Sequence, residues 1–190
     1  MRGLRPLLLI VLLLARGGHA QTPQIFDLDA ARSRAVFEVK VLYLIGLHGE
    51  FGSVHGTLSV DRARDIAVVD ATIDTNAVHM RNHLYENWVK SAEFFDATHF
   101  PQIHFVSAEF PLRRLTQGGT IIGTLTIRGF SKSAAFEIDP ATCADPLRGA
   151  CALAAAGTIR RSDFGMRSRR GALSDKVDLG LSVFAHPAAP

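Results

Sequence analysis

Apolar and polar residues alternate along much of the chain. Phe37 and Val39 fall on one side of an extended segment, and Glu38 and Lys40 fall on the other. A period of two residues is typical of a strand with one buried face. The same alternation recurs in residues 54–60, 102–105, 124–128, 135–139 and 177–183.

Turn signals such as Gly118-Gly119 and Asp139-Pro140 separate the alternating segments. Strands with one apolar face that are joined by turns predict an antiparallel all-β sandwich or barrel. The length suits about eight strands, and an eight-stranded barrel is wide enough to be filled by side chains or to hold one slim ligand. We therefore expect one all-β domain, an eight-stranded antiparallel barrel.

Two segments break the alternation. In residues 82–93, Leu84, Trp88 and Val89 recur at helical spacing, which predicts a short helix. The apolar run at residues 42–47 does not alternate and is consistent with a second helical turn. Two interpretations of this run stay open: it packs beneath one end of the barrel, or it forms an apolar entrance to a cavity.

The first twenty residues have the pattern of a secretory signal peptide. Arg2 and Arg5 precede the apolar stretch 6–15, and the small residues Gly18 and Ala20 follow. This pattern predicts cleavage after Ala20, and the stretch is too short to span a bilayer. We expect the folded domain to comprise residues 21–190, without stable insertion in a membrane.

Cleavage also changes the charge balance. The chain has 21 basic and 18 acidic residues, and loss of the three arginines in residues 1–20 makes the two numbers equal. A nucleic-acid partner is therefore not expected, because contacts to phosphates need an excess of basic surface. The arginines at positions 160, 161, 167, 169 and 170 have Asp163 and Asp175 nearby in sequence and are expected to form a solvated face.

The two cysteines, Cys143 and Cys151, are predicted to form a disulfide, since exported proteins fold in an oxidising compartment. Their spacing does not match a zinc site. His79 and His83 are four residues apart, but a metal would need a third ligand, and we expect no metal. An alternative function, a hydrolase or isomerase acting on a lipid-like substrate, would use histidines near the helix at 82–93, such as His83 or His99.

Residues 91–105 carry the most specific pattern. Phe94-Phe95-Asp96 is followed by Phe100-Pro101 and by a strand beginning with Ile103-His104-Phe105. This run resembles the signature of the YceI-like family of exported proteins. Further segments that resemble the family follow in the same order along residues 21–190, namely 35–40, 56–61, 123–132, 161–166 and 173–177.

The resemblance implies a lipocalin-like barrel, exported to the bacterial periplasm, whose apolar pore holds a polyisoprenoid such as a quinone or prenyl lipid. It implies a transport, storage or sequestration role rather than an enzyme, and no cofactor besides the bound lipid. A homodimer is left open. The residues expected to line the pore, from the resemblance and from the alternation together, are Phe37, Val39, Leu42, Leu44, Phe51, Phe94, Phe105, Leu125, Ile127, Phe164, Leu179 and Leu181.

Overall fold

The computed structural model describes residues 22–189. The signal peptide predicted at residues 1–20 lies outside the described residues. The described residues form thirteen strands: β1 Gln24–Leu28, β2 Arg34–Val41, β3 Ile45–Phe51, β4 Val54–Asp61, β5 Ile66–Asp74, β6 Val78–Met80, β7 Gln102–Ser107, β8 Phe110–Pro111, β9 Gly119–Ile127, β10 Phe130–Ile138, β11 Leu153–Arg160, β12 Leu173–Val183 and β13 Ala185–Pro187. Two short helices, α1 at His83–Lys90 and α2 at Arg114–Gln117, and three 3₁₀ turns at Thr75–Ala77, Pro146–Arg148 and Arg161–Phe164 complete the described elements.

The strands form one antiparallel sheet that curls until its last part meets its first. The order runs from β1 through β4, β5, β7, β9, β10, β11 and β12 to β2, β3 and β6. β12 pairs with β2, and after Phe184 the chain continues as β13, which pairs with β1. Because β1 also pairs with β4, the continuous segment of β12 and β13 links the two parts of the sheet, and the curled sheet encloses a central space.

The prediction of an antiparallel all-β fold with one or two short helices is confirmed, but the count of eight strands is wrong. Long extended segments are interrupted, so that β1 is separated from β2, β3 from β4, and β12 from β13. The Asp29 carboxylate, for example, accepts hydrogen bonds from the backbone N–H groups of Ala31 and Arg32 and bends the chain between β1 and β2. Alternation shows that a segment is extended, and it does not show where the ladder breaks.

The inward face of the sheet carries the apolar core. On β9, Ile121, Leu125 and Ile127 are buried, whereas the intervening Ile122 and Thr124 are exposed. This burial follows the two-residue alternation of the sequence, as expected for a sheet with water on its outer face.

Helix α1 begins at His83 because the Asn82 side chain caps it by accepting a hydrogen bond from the Leu84 N–H at 2.8 Å. It ends at Lys90 and is therefore shorter than the predicted 82–93. The Lys90 ammonium lies 3.1 Å from the carboxylate of Glu86, one turn earlier. The carboxylate of Glu86 has a lowered pKa because Lys90 donates a hydrogen bond to it.

The second helical turn predicted within residues 42–47 is wrong. Val41 and Ile45 form the last pair of the β2–β3 hairpin, and residues 42–44 make its turn. Leu42 and Tyr43 have φ angles of 49° and 61°, in the left-handed region that the turn requires and that α-helices exclude. The apolar run is therefore a hairpin tip.

Arg161 was expected on a solvated face, and the structure instead buries it to 2% exposure at the start of the turn between β11 and β12. Its guanidinium donates to the backbone carbonyls of Met166, Ser168, Leu173 and Ser174 over distances of 2.6 to 3.2 Å. Burial lowers its pKa. The planar fork of donors on arginine suits this arrangement, because it satisfies several carbonyls that would otherwise be buried without partners.

Cys143 and Cys151 are joined by a disulfide with a Cα–Cα distance of 5.9 Å, as predicted. The closed loop contains the 3₁₀ turn at Pro146–Arg148, which Asp145 caps by accepting a hydrogen bond from the Leu147 N–H. Leu147 is buried in the core, so the loop is tied to the barrel by packing as well as by the bond. Within residues 22–189, no helix is long and apolar enough to cross a membrane.

Replacing both cysteines, as Cys143→Ser with Cys151→Ser, is expected to lower the free energy of unfolding by about 2.5 kcal/mol, because the denatured chain regains the entropy of the closed loop. Urea denaturation of the oxidised protein and of the double variant measures this difference. The single variant Cys143→Ser should behave like the double variant. A double variant as stable as the parent would contradict a stabilising role for the bond.

Replacing Arg161 is expected to be costly. Arg161→Lys keeps the charge but cannot reach four carbonyls, so buried acceptors lose their partners at about 1–3 kcal/mol each. The exposed neighbour Arg160→Lys serves as the matched control. Thermal denaturation should give a much lower midpoint for Arg161→Lys than for Arg160→Lys, and equal midpoints would show that the carbonyl contacts contribute little.

Candidate functional site

The curled sheet encloses an apolar cavity of about 180 Å³. Side chains from the inward faces of strands on all sides of the barrel form its wall, together with residues of α1 and of the segment that follows this helix. Among the lining residues in the described part of the chain, Arg161 is the one that carries a charge.

Nine of the twelve residues predicted to line a pore do line this cavity. They are Phe37, Val39, Phe51, Phe94, Phe105, Leu125, Ile127, Leu179 and Leu181. Their contact with a ligand stays a prediction. Phe94 follows α1, and the other eight lie on strands, on the side that the alternation of the sequence indicates.

Leu42, Leu44 and Phe164 do not line the cavity. Leu42 and Leu44 are 60% and 87% exposed, because the β2–β3 turn extends beyond the last paired residues of the sheet. Phe164 is buried, but it lies beneath a groove on the outside of the barrel. It belongs to the 3₁₀ turn after β11, where the alternation of the strand no longer determines which way a side chain points.

Several lining residues were missed, and some of them carried a signal. Phe136 and Ile138 follow the same alternation on β10 as the predicted residues on other strands. Trp88 lies in the segment whose helical spacing predicts a helix, and Phe95 follows that segment, but periodicity does not show that these residues fold over the barrel. Nothing in the sequence around Arg161 indicated that its side chain is buried at the cavity wall.

Residues 83–97 close one end of the cavity. The Phe95 ring packs against Phe37 and Phe51 with centroid distances of 5.9 and 5.5 Å, and all three rings line the cavity. Trp88 packs against Phe94 at 4.5 Å. The segment is held from the side by Arg128, whose guanidinium donates to the Ala92 carbonyl at 3.1 Å. This closing segment is therefore an aromatic cover over one end of the barrel.

Glycines give the aromatic rings their positions against the wall. A methyl group placed on Gly49 would overlap the ring of Phe37, its partner on β2. Gly157 stands in the same relation to Phe136 on β10. A ring that lies across a glycine on the neighbouring strand covers backbone that has no side chain of its own. These pairs keep large rings flat against the sheet and leave the centre open.

The histidines suggested for catalysis lie outside the cavity lining. The side chains of His83 and His99 are 93% and 73% exposed. His99 Nδ1 lies 2.8 Å from Asp96 Oδ1, which is a hydrogen-bonded pair on the surface. His79 and His83 each lie near Glu86, at 3.8 and 3.9 Å. Across residues 22–189, no three histidine, cysteine or acidic side chains are grouped as metal ligands would be.

Comparison with known proteins identifies the family. The family model of the YceI-like domain matches residues 26–185. The chain belongs to the YceI-like family. A UPF0312 protein of Yersinia enterocolitica is a relative, 30% identical over 160 residues, and the match covers 83% of this chain and 82% of that protein.

Two solved structures share the fold. BcnA of Burkholderia cenocepacia aligns with a TM-score of 0.65 and 20% identity, over 82% of this chain and 98% of its own. A polyisoprenoid-binding domain from Saccharophagus degradans, implicated in plant cell wall breakdown, aligns with a TM-score of 0.61 and 13% identity, over 86% and 98% of the two chains. The curled antiparallel sheet thus fits the lipocalin-like fold of the YceI-like family.

Gly49→Ala is expected to destabilise the protein by about 1–3 kcal/mol, because the added methyl group forces the Phe37 ring out of its place. Adding Phe37→Leu should restore part of the loss, since the smaller side chain leaves room for the methyl group. Chemical denaturation of the single and double variants tests the coupling. Gly52→Ala, where a methyl group would meet only ordinary contacts, is the control. Additive effects of the two substitutions would contradict the proposed packing.

Proposed function

We propose that this protein is an exported lipid-binding protein that holds a polyisoprenoid, such as a quinone or a prenyl lipid, in its apolar cavity, and that it serves in transport, storage or sequestration without catalysing a reaction. The observation that carries the proposal is the cavity itself, which is lined by apolar side chains apart from Arg161. The shared fold of the polyisoprenoid-binding domain from Saccharophagus degradans supports the same class of ligand.

The chemistry of the wall favours a hydrocarbon. Buried water needs two to four polar partners, and a wall of this composition offers very few. An isoprenoid tail gains about 0.8 kcal/mol for each methylene-sized group that leaves water, so a tail of several isoprene units offsets the cost of ordering it. The rings of Phe37, Phe105 and Phe136 provide flat apolar surfaces against which a branched unsaturated chain can pack.

The cavity offers little for a charged head group. Four backbone carbonyls already accept hydrogen bonds from the Arg161 guanidinium, which therefore serves mainly to hold the β11–β12 turn. We expect recognition through the tail, with the head group at the end of the barrel that residues 83–97 cover. Such binding tolerates different head groups and depends little on salt, because no ion pair dominates it.

Export forms part of the proposal. The pattern of residues 1–20 supports a signal peptide that is removed after Ala20, and the disulfide between Cys143 and Cys151 supports an oxidising compartment such as the periplasm. Residues 21–190 would then be the mature lipid-binding domain.

Affinity is expected to rise with the number of isoprene units until the cavity is filled, and to change little between low and physiological salt. Trp88 is the chain's one tryptophan and lines the cavity, so its fluorescence can follow titration with prenyl alcohols of increasing length. Leu125→Asn and Leu179→Asn introduce an amide into the cavity and should weaken binding by a factor of ten or more. Thr124→Asn, on the exposed face of the same strand as Leu125, is the matched control.

Mass spectrometry of protein purified from its own host under native conditions should also detect a retained isoprenoid lipid. An affinity that is independent of tail length and falls steeply as the salt concentration rises would contradict the proposal. So would turnover of a prenyl or acyl ester that is lost in His83→Ala or His99→Ala, because it would assign the protein to the enzymes instead.

A further inference from the structure

We infer that one end of the barrel is a docking surface for membranes rich in anionic phospholipids. Its centre is the tip of the β2–β3 hairpin, Leu42–Ile45, here called the apolar tip. Beside it lies the loop that carries Arg167, Arg169 and Arg170, here called the arginine loop. This surface lies outside the cavity.

The apolar tip exposes four consecutive large apolar side chains. Leu42, Tyr43, Leu44 and Ile45 are 60%, 68%, 87% and 66% exposed. Exposed single apolar residues are common on protein surfaces, but a contiguous group on a projecting turn marks a contact site. Leu42 and Tyr43 also adopt positive φ angles, which non-glycine residues enter at a cost. Folding of the barrel does not bury these side chains, so packing does not offset that cost.

The arginine loop adjoins the apolar tip directly. The Leu42 N–H donates to the Ala172 carbonyl at 2.7 Å, and the adjacent residues Val41 and Leu173 are paired across β2 and β12. Arg167, Arg169 and Arg170 are exposed in the same loop, a few residues before Ala172. Three cationic side chains thus stand beside the apolar tip.

A second group of cations lies near the apolar tip. Tyr43 borders a groove on the outside of the barrel together with Lys40, Lys132, Arg160 and Lys176. Asp163 and Asp175 share this groove, so cations outnumber carboxylates in it.

Two carboxylates on this side, Asp175 and Glu93, are engaged within the protein. Asp175 accepts hydrogen bonds from both the hydroxyl and the N–H of Ser162. Glu93 accepts a hydrogen bond from Trp88 Nε1 at 3.0 Å and lies 3.8 Å from Arg169. The lysines and arginines of the groove and of the arginine loop outnumber Asp163, Asp175 and Glu93, so the net charge at this end of the barrel is positive.

Apolar residues at the centre with cations around them match an anionic bilayer, where side chains such as Leu44 enter the acyl boundary and arginines meet phosphates. A second copy of this chain fits less well. A two-fold interface would place the same patch against itself, so the cations of one copy would face those of the other. We therefore assign this surface to an anionic membrane rather than to a dimer contact.

The docking surface lies at the covered end of the cavity. Leu173 lines the cavity and pairs with Val41 at the base of the apolar tip. Arg169 lies over the ring of Trp88, 5.3 Å from its centroid, and Trp88 belongs to the cover. Contact with a bilayer at this end would place lipid next to the closing segment, through which the lipid would enter the cavity.

The test measures binding of the purified protein to vesicles by co-sedimentation. Vesicles contain either phosphatidylcholine alone or phosphatidylcholine with 30 mol% phosphatidylglycerol as the anionic probe. We expect binding to the anionic vesicles that is at least tenfold stronger than to the neutral ones and is largely lost at high salt. A blue shift of Trp88 fluorescence on docking would place this end of the barrel at the membrane.

Two pairs of substitutions separate the two components. Leu42→Ser with Leu44→Ser should weaken binding at least tenfold, and Arg167→Gln with Arg170→Gln should weaken it by about fivefold for each charge removed. Ile122→Ser and Arg62→Gln remove an exposed apolar residue and an exposed arginine elsewhere on the surface, and should leave binding unchanged. Circular dichroism verifies that each variant is folded.

Equal binding to neutral and anionic vesicles, or binding that survives both double variants, would overturn the inference. So would sedimentation showing that the apolar tip joins two copies of the chain in the absence of lipid. Failure of docking is distinguishable from failure of the proposed function, because uptake of prenyl alcohols from solution needs no vesicle and responds to Leu125→Asn rather than to the tip variants.

Discussion

The structure depends on a constraint that most globular domains do not have. The inward face of its sheet must be apolar and closely packed at the wall, yet the inward side chains must not fill the centre. Interiors normally pack to the density of organic crystals. Here the inward residues are apolar on every long strand, and a cavity of about 180 Å³ still remains. Alternation provides the apolar face, and the pairs of phenylalanine and glycine keep the large rings against the wall. The buried carbonyls of the β11–β12 turn are satisfied by Arg161, so that polar backbone does not draw water into the space.

An apolar cavity needs ends as well as walls, and the two ends are built differently. At one end the buried Leu115 of α2 lines the cavity and packs in the core. At the other end the cover is a helix of eight residues followed by a turn, held by aromatic contacts and by a few hydrogen bonds to the rim. Segments with few long-range backbone hydrogen bonds open locally at lower cost than sheet strands do. The covered end is therefore the end that opens at lower cost, and it is also the end that carries the exposed apolar tip.

Much of the wall could be predicted from the sequence. In an extended chain, neighbouring side chains point to opposite faces, whatever the rest of the fold is. Phe37, Leu125 and Leu179 were assigned in this way. The failures lie where extended chain ends. Leu44 and Phe164 sit in turns, where the backbone dihedral angles and not the alternation determine the direction of a side chain. The burial of Arg161 depends on four carbonyls brought together by tertiary structure, and Phe95 becomes part of the wall only because its segment folds back over β2 and β3. Such contacts join residues distant in sequence, and no local pattern encodes them.

The last pairing of the sheet joins the two ends of the chain, since β12 and β13 bond to β2 and β1. Closure of a ladder between residues separated by most of the chain carries a large entropic cost and occurs slowly. It also cannot occur before the ribosome has completed the C-terminal strands. The proposed export would benefit from this order, because the portion made first lacks its partner and stays competent for translocation. The same connectivity that encloses the cavity thus delays its formation until the whole polypeptide is available.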